Sequence, residues 1–496
     1  MPAWLSFFLA ALCALAVFAL VLSLTLPLVV MALLRAGLRG GMRRLLANRY
    51  TSNVFGSLSV LRRMDAQFFV ETMLRAAQGK ALARPMGTPL HLSPWERLLF
   101  QPVYVRPRLP VPAERHIESG VTIGPRAQRP LRVEIPLLLA GMSYGGALSV
   151  EAKVALARGA NAAGTATNSG ESYLQEERDA AERLILQHHR GQWANGTLRR
   201  PELLHRGDAI EVQFGQGAQA AAAMFTPPAL IDARMRRIYG LREGERAELS
   251  TRFAGADGPE GVVRLLRDLK QRFPVPVGVK IGATDYLEQD LDVFLEADID
   301  FITVDGAEGG THGGPASLQD DVGLPTMHAV ARADRHLRAR GRREACSLLA
   351  AGQLRTPGMC LKAMAIGADA VYLGTAAMIA VVTGQAEKLL PGEPPFQLFL
   401  EGAPRRYRGR LNVAQAANHV ANLLQSTVAE MHYVAQALGR GALAEVGRDD
   451  LVALDRDVAE ICAVRLAWRE PGAAHGRPEP ALGPQAPDAG PAELVH

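Results

Sequence analysis

The sequence predicts an α/β protein built on a (β/α)8 TIM barrel, with an N-terminal transmembrane helix before the barrel and C-terminal helices after it. Three observations lead there. Between Leu137 and Leu373, eight short apolar or β-branched runs alternate with helical patterns, the alternation that builds parallel sheets and barrels. Several runs end in glycine-dense loops, above all Phe301-Ile-Thr-Val-Asp-Gly-Ala-Glu-Gly-Gly-Thr-His-Gly-Gly-Pro315, where backbone can approach a ligand without Cβ obstruction. Finally, no charged residue occurs from Ala3 to Leu34, a run longer than the roughly 20 apolar residues a spanning helix needs.

The apolar segment is read as a retained anchor, residues 1–34, because no basic stretch precedes it and no small-x-small cleavage site follows it. Arg35, Arg39, Arg43, Arg44 and Arg49 come next. By the positive-inside rule they place the body of a single-pass protein of the cell membrane on the cytoplasmic side. Residues 35–112 read as a juxtamembrane helical collar running into a Pro-rich linker. The barrel is assigned to 113–400.

The strand candidates are Leu137–Ala140, Ala163–Thr167, Leu184–Gln187, Ile210–Phe214, Val277–Ile281, Phe301–Val304, Ser347–Ala350 and Ala370–Leu373. Helical patterns between them include Ser149–Ala162, Pro259–Phe273 and Leu287–Ala297. An extension at 401–470 reads as helical over Leu411–Leu438 and Asp449–Trp468. The tail, 471–496, is rich in Pro, Ala and Gly and is expected to be disordered.

With 496 residues, 48% of them hydrophobic and 21% charged, the chain can bury a barrel core and a smaller module besides. A net charge of +5, with the basic residues scattered and no aromatic interleaving, argues against nucleic-acid binding. Cys13, Cys346, Cys360 and Cys462 form no Cys-x-x-Cys pair, so neither a zinc site nor a disulfide framework is expected.

The strand ends define a candidate site. In barrels the loops after the seventh and eighth strands hold phosphate through backbone N–H groups, which singles out Gly352, Gln353, Gly374 and Thr375. Lys280 sits in the apolar strand Val277-Gly-Val-Lys-Ile281, and a cation there needs an anion or an electron-rich ring as partner. Glu171, Asp305 and Glu308 are the acidic candidates, against the alternative that each accepts hydrogen bonds to stabilise its loop, the commoner fate of acidic residues in Gly-rich turns. Of His188 and His189 at most one is expected to face the site, since neighbours on a strand point oppositely. His312 is the better-placed histidine for proton transfer, with an exposed turn residue as the equal alternative.

Taken together, the motifs resemble the FMN-binding barrel of glutamate synthase over about Leu137–Ala380. Gly141-Met-Ser-Tyr-Gly-Gly-Ala-Leu-Ser149 is similar to the family's first flavin loop, and Thr167-Asn-Ser-Gly-Glu171 to its second. Gln187, Gln216-Gly-Ala218, Val279-Lys-Ile281, Asp305-Gly-Ala-Glu-Gly-Gly-Thr311 and Tyr372-Leu-Gly-Thr-Ala-Ala377 follow in register. The resemblance is closest to short members with a membrane segment ahead of the barrel.

The resemblance implies FMN as cofactor, held by Gly141, Met142, Ser143, Asn168, Gln187, Lys280, Asp305, Gly306, Gly309, Gly310, Gly352, Gln353, Gly374 and Thr375. Lys280, Glu171 and Glu308 would be the catalytic candidates, with no metal. It further implies hydride transfer between flavin and an amino, imino or related acid, with an electron donor that the sequence does not identify. Homo-oligomerisation is left open.

Two departures qualify the match. Where full-length relatives carry cysteines for a 3Fe-4S centre, this chain has Ile379-Ala-Val-Val-Thr-Gly384, and nothing supplies their glutaminase cysteine, so neither an iron-sulfur centre nor glutaminase activity is expected. Two lysines of the family's fourth-strand region are replaced by Gln213 and Gln219, which weakens the case for a dicarboxylate substrate. The alternatives are a barrel like IMP dehydrogenase or the flavin-dependent isopentenyl diphosphate isomerase, or a non-catalytic flavin-binding scaffold at the membrane. IMP dehydrogenase chemistry needs a loop cysteine that Gly306–Gly323 lacks.

Overall fold

The computed structural model describes residues 3–47, 66–79, 82–311, 313–390, 393–404 and 406–471. The chain divides into two units, Met1–Leu82 and Ala83–His496. The first contains helix α1, Ala3–Ala47, and helix α2, Ala66–Gln78. Helix α1 continues past the uncharged run through Arg35, Arg39 and Arg43, and its Ala11–Arg43 stretch is long and apolar enough to cross a membrane.

In the second unit, eight parallel strands form one sheet: β1 Leu137–Leu139, β2 Thr167–Asn168, β3 Leu184–His188, β4 Ala209–Gln213, β5 Val277–Gly282, β6 Phe301–Asp305, β7 Ser347–Ala351 and β8 Ala370–Leu373. Their order is β1-β8-β7-β6-β5-β4-β3-β2. The Leu139 amide donates to Ala166 O at 3.1 Å, and the Thr165 hydroxyl to Leu137 O at 2.6 Å. Those two bonds bring the ends of the sheet together, and the result is a barrel.

Strand alternation explains the layers. On β4, Ile210 and Val212 point outward to the helices, and on β5 so do Val277, Val279 and Ile281. The outer ring they meet includes α3 Val150–Ala162, α4 Gly258–Arg272, α5 Leu287–Glu296, α6 Thr326–Ala339, α7 Pro357–Ala365 and α8 Thr375–Val382. Inward, Leu138, Ala166, Ile185, Ala209, Phe301, Leu349 and Ala370 fill the lower barrel, plugged by the hairpin Val121–Ile123/Leu131–Val133. A Cβ at Gly278 would lie 2.4 Å from the Phe301 ring, so only glycine lets that ring into the interior.

The extension departs from the sequence reading. Helix α9, Val413–Ala437, agrees with the expected helix over Leu411–Leu438 and packs along α3. Asp449–Trp468, expected to be helical, is instead a strand Leu451–Ala453, helix α10 Arg456–Cys462 and a strand Arg465–Leu466. Leu451–Ala453 pairs with Leu98–Phe100, far away in sequence. That partner also departs from the helical collar read within 35–112: from Ala83 to Phe100 the chain forms a strand at Ala83–Arg84, a short 3-10 turn at Trp95–Arg97 and the strand Leu98–Phe100. The second barrel strand begins at Thr167 and not at Ala163, because Gly164 at φ +69 turns the chain after α3. His312 and the tail at 472–496 lie outside the described residues.

Candidate functional site

Above its apolar floor the barrel carries a polar layer centred on Glu211, which is fully buried. Glu211 Oε1 accepts from Asn168 Nδ2 at 2.9 Å and Gln187 Nε2 at 2.8 Å. Its Oε2 accepts from the hydroxyls of Thr303 at 2.7 Å and Tyr372 at 3.2 Å. Five strands thus meet on one carboxylate, and four donors satisfy the lone pairs that burial would otherwise leave costly. Burial, then the Glu211 charge, drives the Tyr372 phenol well above its ordinary range and keeps it protonated as a donor. Sequence reasoning missed Glu211. The signal was present, an acid inside the apolar strand Ala209–Gln213, the same pattern that singled out Lys280.

One layer higher, Lys280 Nζ lies 3.3 Å from Asp305 Oδ2, with both side chains about 5% exposed. Burial alone would lower the Lys280 ammonium. Asp305, Glu211 and Glu171 more than offset it and hold the group above the ordinary lysine value. Lys280 is therefore charged.

Glu171 stands at the rim, its Oε1 accepting from Gln213 Nε2 at 2.8 Å and its Oε2 from the Ser143 hydroxyl at 3.0 Å. It joins the loop after β2 to the loop after β1 and to the top of β4. Below them Lys153 of α3 donates to Met142 O, Asn168 O and Ser169 O at 2.8, 3.1 and 3.0 Å. Its ammonium also pairs with the buried Glu177 at 2.8 Å. Gly141 sits where a Cβ would press on Asn168 and Gln187 at 2.8 Å, so the first loop lies directly on the polar layer.

The remaining predicted residues sort by the structure as follows. Asp305, Gly306, Gly309 and Gly310 form the turn after β6, closed by Gly309 N–H to Gly306 O at 2.8 Å. Glu308 is buried, and its Oε2 accepts from the Thr326 amide and hydroxyl at 2.8 and 2.7 Å, capping the start of α6. Gly352 and Gln353 leave β7 with φ of +121 and +51. Gly374 and Thr375 open α8, whose first amides have no intrahelical acceptor.

His188 and His189 are both buried, the first stacked on Phe253 and the second tilted against Trp193, at ring distances of 5.2 and 5.0 Å. Burial lowers them to about 4 and about 3, so both stay neutral. Arg190, unremarked in the sequence, is buried behind them and donates through Nη1 to Ala221 O at 3.0 Å and Thr251 O at 2.8 Å. Burial pulls its guanidinium down, and Glu171 partly restores it.

Gln213 and Gln219 stand as neutral amides, the second accepting from the Thr311 hydroxyl at 3.4 Å. Gln213 Oε1 is buried without a partner among the described residues, an atom that calls for a donor from a bound molecule or water. A buried cation, convergent amides and Gly-rich strand ends at the C-terminal face form a cradle suited to an electron-rich ring with a phosphate tail.

The family model described as "Conserved region in glutamate synthase" matches residues 106–441. A glutamate synthase large subunit-like protein of Rhizobium meliloti (strain 1021) is 30% identical over 425 residues, 81% of this chain and 94% of that protein. The archaeal-type glutamate synthase [NADPH] of Thermotoga neapolitana is 30% identical over 329 residues, 66% of this chain and 64% of the enzyme. Among solved structures, a chimera of (S)-mandelate dehydrogenase aligns over 79% of this chain and 96% of its own, with TM-score 0.48 and 17% identity.

Proposed function

The chain belongs to the glutamate synthase family, and from that premise we propose that it is an FMN-dependent oxidoreductase moving a hydride between flavin and an amino, imino or related acid. The family match from residue 106 to 441 carries this reading, because it spans all eight barrel strands and every loop of the cradle. FMN is the cofactor that membership supports. When bound, it supplies the hydride-accepting and hydride-donating ring that no side chain provides.

The chain's own residues then have defined tasks. Lys280, held charged, would stabilise negative charge on an electron-rich ring. Asn168 and Gln187, oriented by Glu211, present amide groups to the cradle, and Gly141, Met142 and Ser143 line it with backbone. Glu171, partly exposed at the rim, is the carboxylate best placed to hold or move a substrate proton. Glu308 is assigned a structural part in this reading, since it caps α6. The amides of Gly352, Gln353, Gly374 and Thr375 would receive the phosphate. Helix α1 would anchor the protein, with the barrel cytoplasmic, and the electron donor would be a separate molecule.

The test is the cofactor. Full-length protein in mild detergent should show flavin absorption, release FMN on denaturation and contain no stoichiometric iron. Anaerobic bleaching by a panel of amino acids then identifies the substrate. A colourless protein that fails to take up FMN refutes the proposal.

A further inference from the structure

Before the barrel begins, residues Ala83–Ser93 cross the loop after β6 and meet Gln353, in one of the two loops assigned to the phosphate. Ala83 and Arg84 pair antiparallel with Pro315 and Gly314 beyond β6. The Met86 amide donates to Thr311 O at 2.9 Å, and Gln353 Nε2 reaches back to Thr88 O at 2.7 Å. The Thr88 hydroxyl, almost fully buried, donates to Asp320 Oδ1 at 2.5 Å, while Ser93 Oγ receives the Met327 amide at 3.1 Å. One segment therefore holds the loop after β6, the loop after β7 and the start of α6.

Two non-glycine residues on this contact have positive φ, Met86 at +72 and Gln353 at +51, a conformation that persists only where surrounding structure enforces it and that gathers at ligand clamps. Gly87, at φ +93, lies so close to the β6 loop that a Cβ would stand 2.7 Å from Gly309 O and 3.2 Å from Gly310 Cα.

From this geometry we infer that Met86, Gly87 and Thr88 are positioning residues for the cofactor phosphate: the strap they form, seated on the Gly309–Thr311 turn, sets Gln353 in the place from which its amide binds it. The inference rests on the proposal that the loop of Gly352 and Gln353 receives the phosphate of FMN. The strap acts on the phosphate end alone, while Lys280, Asn168 and Gln187 belong to the ring end. Loosening the strap should therefore weaken FMN and leave riboflavin, which has no phosphate, almost unaffected.

The experiment measures dissociation constants of FMN and riboflavin for the full-length apoprotein, by quenching of flavin fluorescence. Thr88→Val removes the hydroxyl anchor with little change in volume, and Gly87→Ala lifts the strap from Gly309. In Thr88→Val we expect FMN to weaken about tenfold or more and riboflavin to change less than about twofold, with Gly87→Ala showing a larger effect in the same direction. Thr88→Ser, which keeps the hydroxyl, should retain the wild-type ratio of the two constants. The same ratio in Thr88→Val as in wild type, or equal weakening of both flavins, overturns the inference. Wild-type protein that binds FMN no better than riboflavin would instead refute the phosphate assignment on which it rests.

Discussion

Lys280 Nζ and Asp305 Oδ2 face each other at 3.3 Å from adjacent strands, with the polar layer of Glu211 beneath them. Each is the near partner that makes burial of the other tolerable. A lysine inside an apolar strand is costly alone, and so is an aspartate at the head of a Gly-rich turn buried to 4% exposure.

That pairing predicts an asymmetric mutational response. Lys280→Met leaves the Asp305 carboxylate buried without its cation and should destabilise the apoprotein by about 3–5 kcal/mol. Adding Asp305→Asn should recover most of the loss. Chemical denaturation of both variants checks this, and in the single variant the bound flavin should also show a lower reduction potential. Because the folded-state value of Lys280 is raised, its stabilisation is fully present below the ordinary lysine value of roughly 10.4 and is lost as pH rises through the folded value. It therefore persists across the physiological range.

Glu211 should also tolerate replacement poorly. Glu211→Leu leaves the amides of Asn168 and Gln187 and two hydroxyls buried without their acceptor, at about 1–3 kcal/mol for each group that finds no other partner. We expect a loss of at least about 3 kcal/mol in urea unfolding. A loss below about 1 kcal/mol would mean that the donors re-pair among themselves.

The buried histidines set an acid limit. Folded values near 4 for His188 and near 3 for His189 lie below the unfolded value of 6.5. As pH falls below that unfolded value, the unfolded chain binds protons that the folded one refuses. Stability then drops by about 1.4 kcal/mol per pH unit for each histidine until its folded value is reached. His188→Phe, which keeps the stack on Phe253, should lower the pH slope of stability between pH 6 and pH 4 by about one proton. Thermal melts of the two proteins across that range decide it.

Gln213 and Gln219 predict poor use of dicarboxylates. A charged hydrogen bond to a carboxylate contributes about 1.5–3 kcal/mol, so Gln213→Lys with Gln219→Lys should tighten 2-oxoglutarate binding by about tenfold or more. The reading is the flavin difference spectrum on titration with 2-oxoglutarate. Unchanged affinity in the double variant would show that these positions do not face the substrate.

Local sequence determined the strands and their loops, because each depends on residues adjacent in the chain. Apolar runs such as Phe301–Val304 bury themselves wherever the sheet forms, and Gly-rich stretches turn wherever strands end. The same logic exposed Lys280, since a charge in an apolar run is visible without coordinates, and it would have exposed Glu211. Tertiary structure alone decided what those charges meet: Glu211 gathers donors from four other strands, and only barrel closure brings Asn168 and Tyr372 to one carboxylate. The same holds for Glu308, drawn to the start of α6, and for Asp449–Trp468, whose helical pattern yields to a strand because Leu98–Phe100 lies beside it. The strap across Gly309 and Gln353 was illegible for a like reason. Its bonds join residues more than 200 positions apart, and no local pattern records a contact that exists only after the barrel has closed.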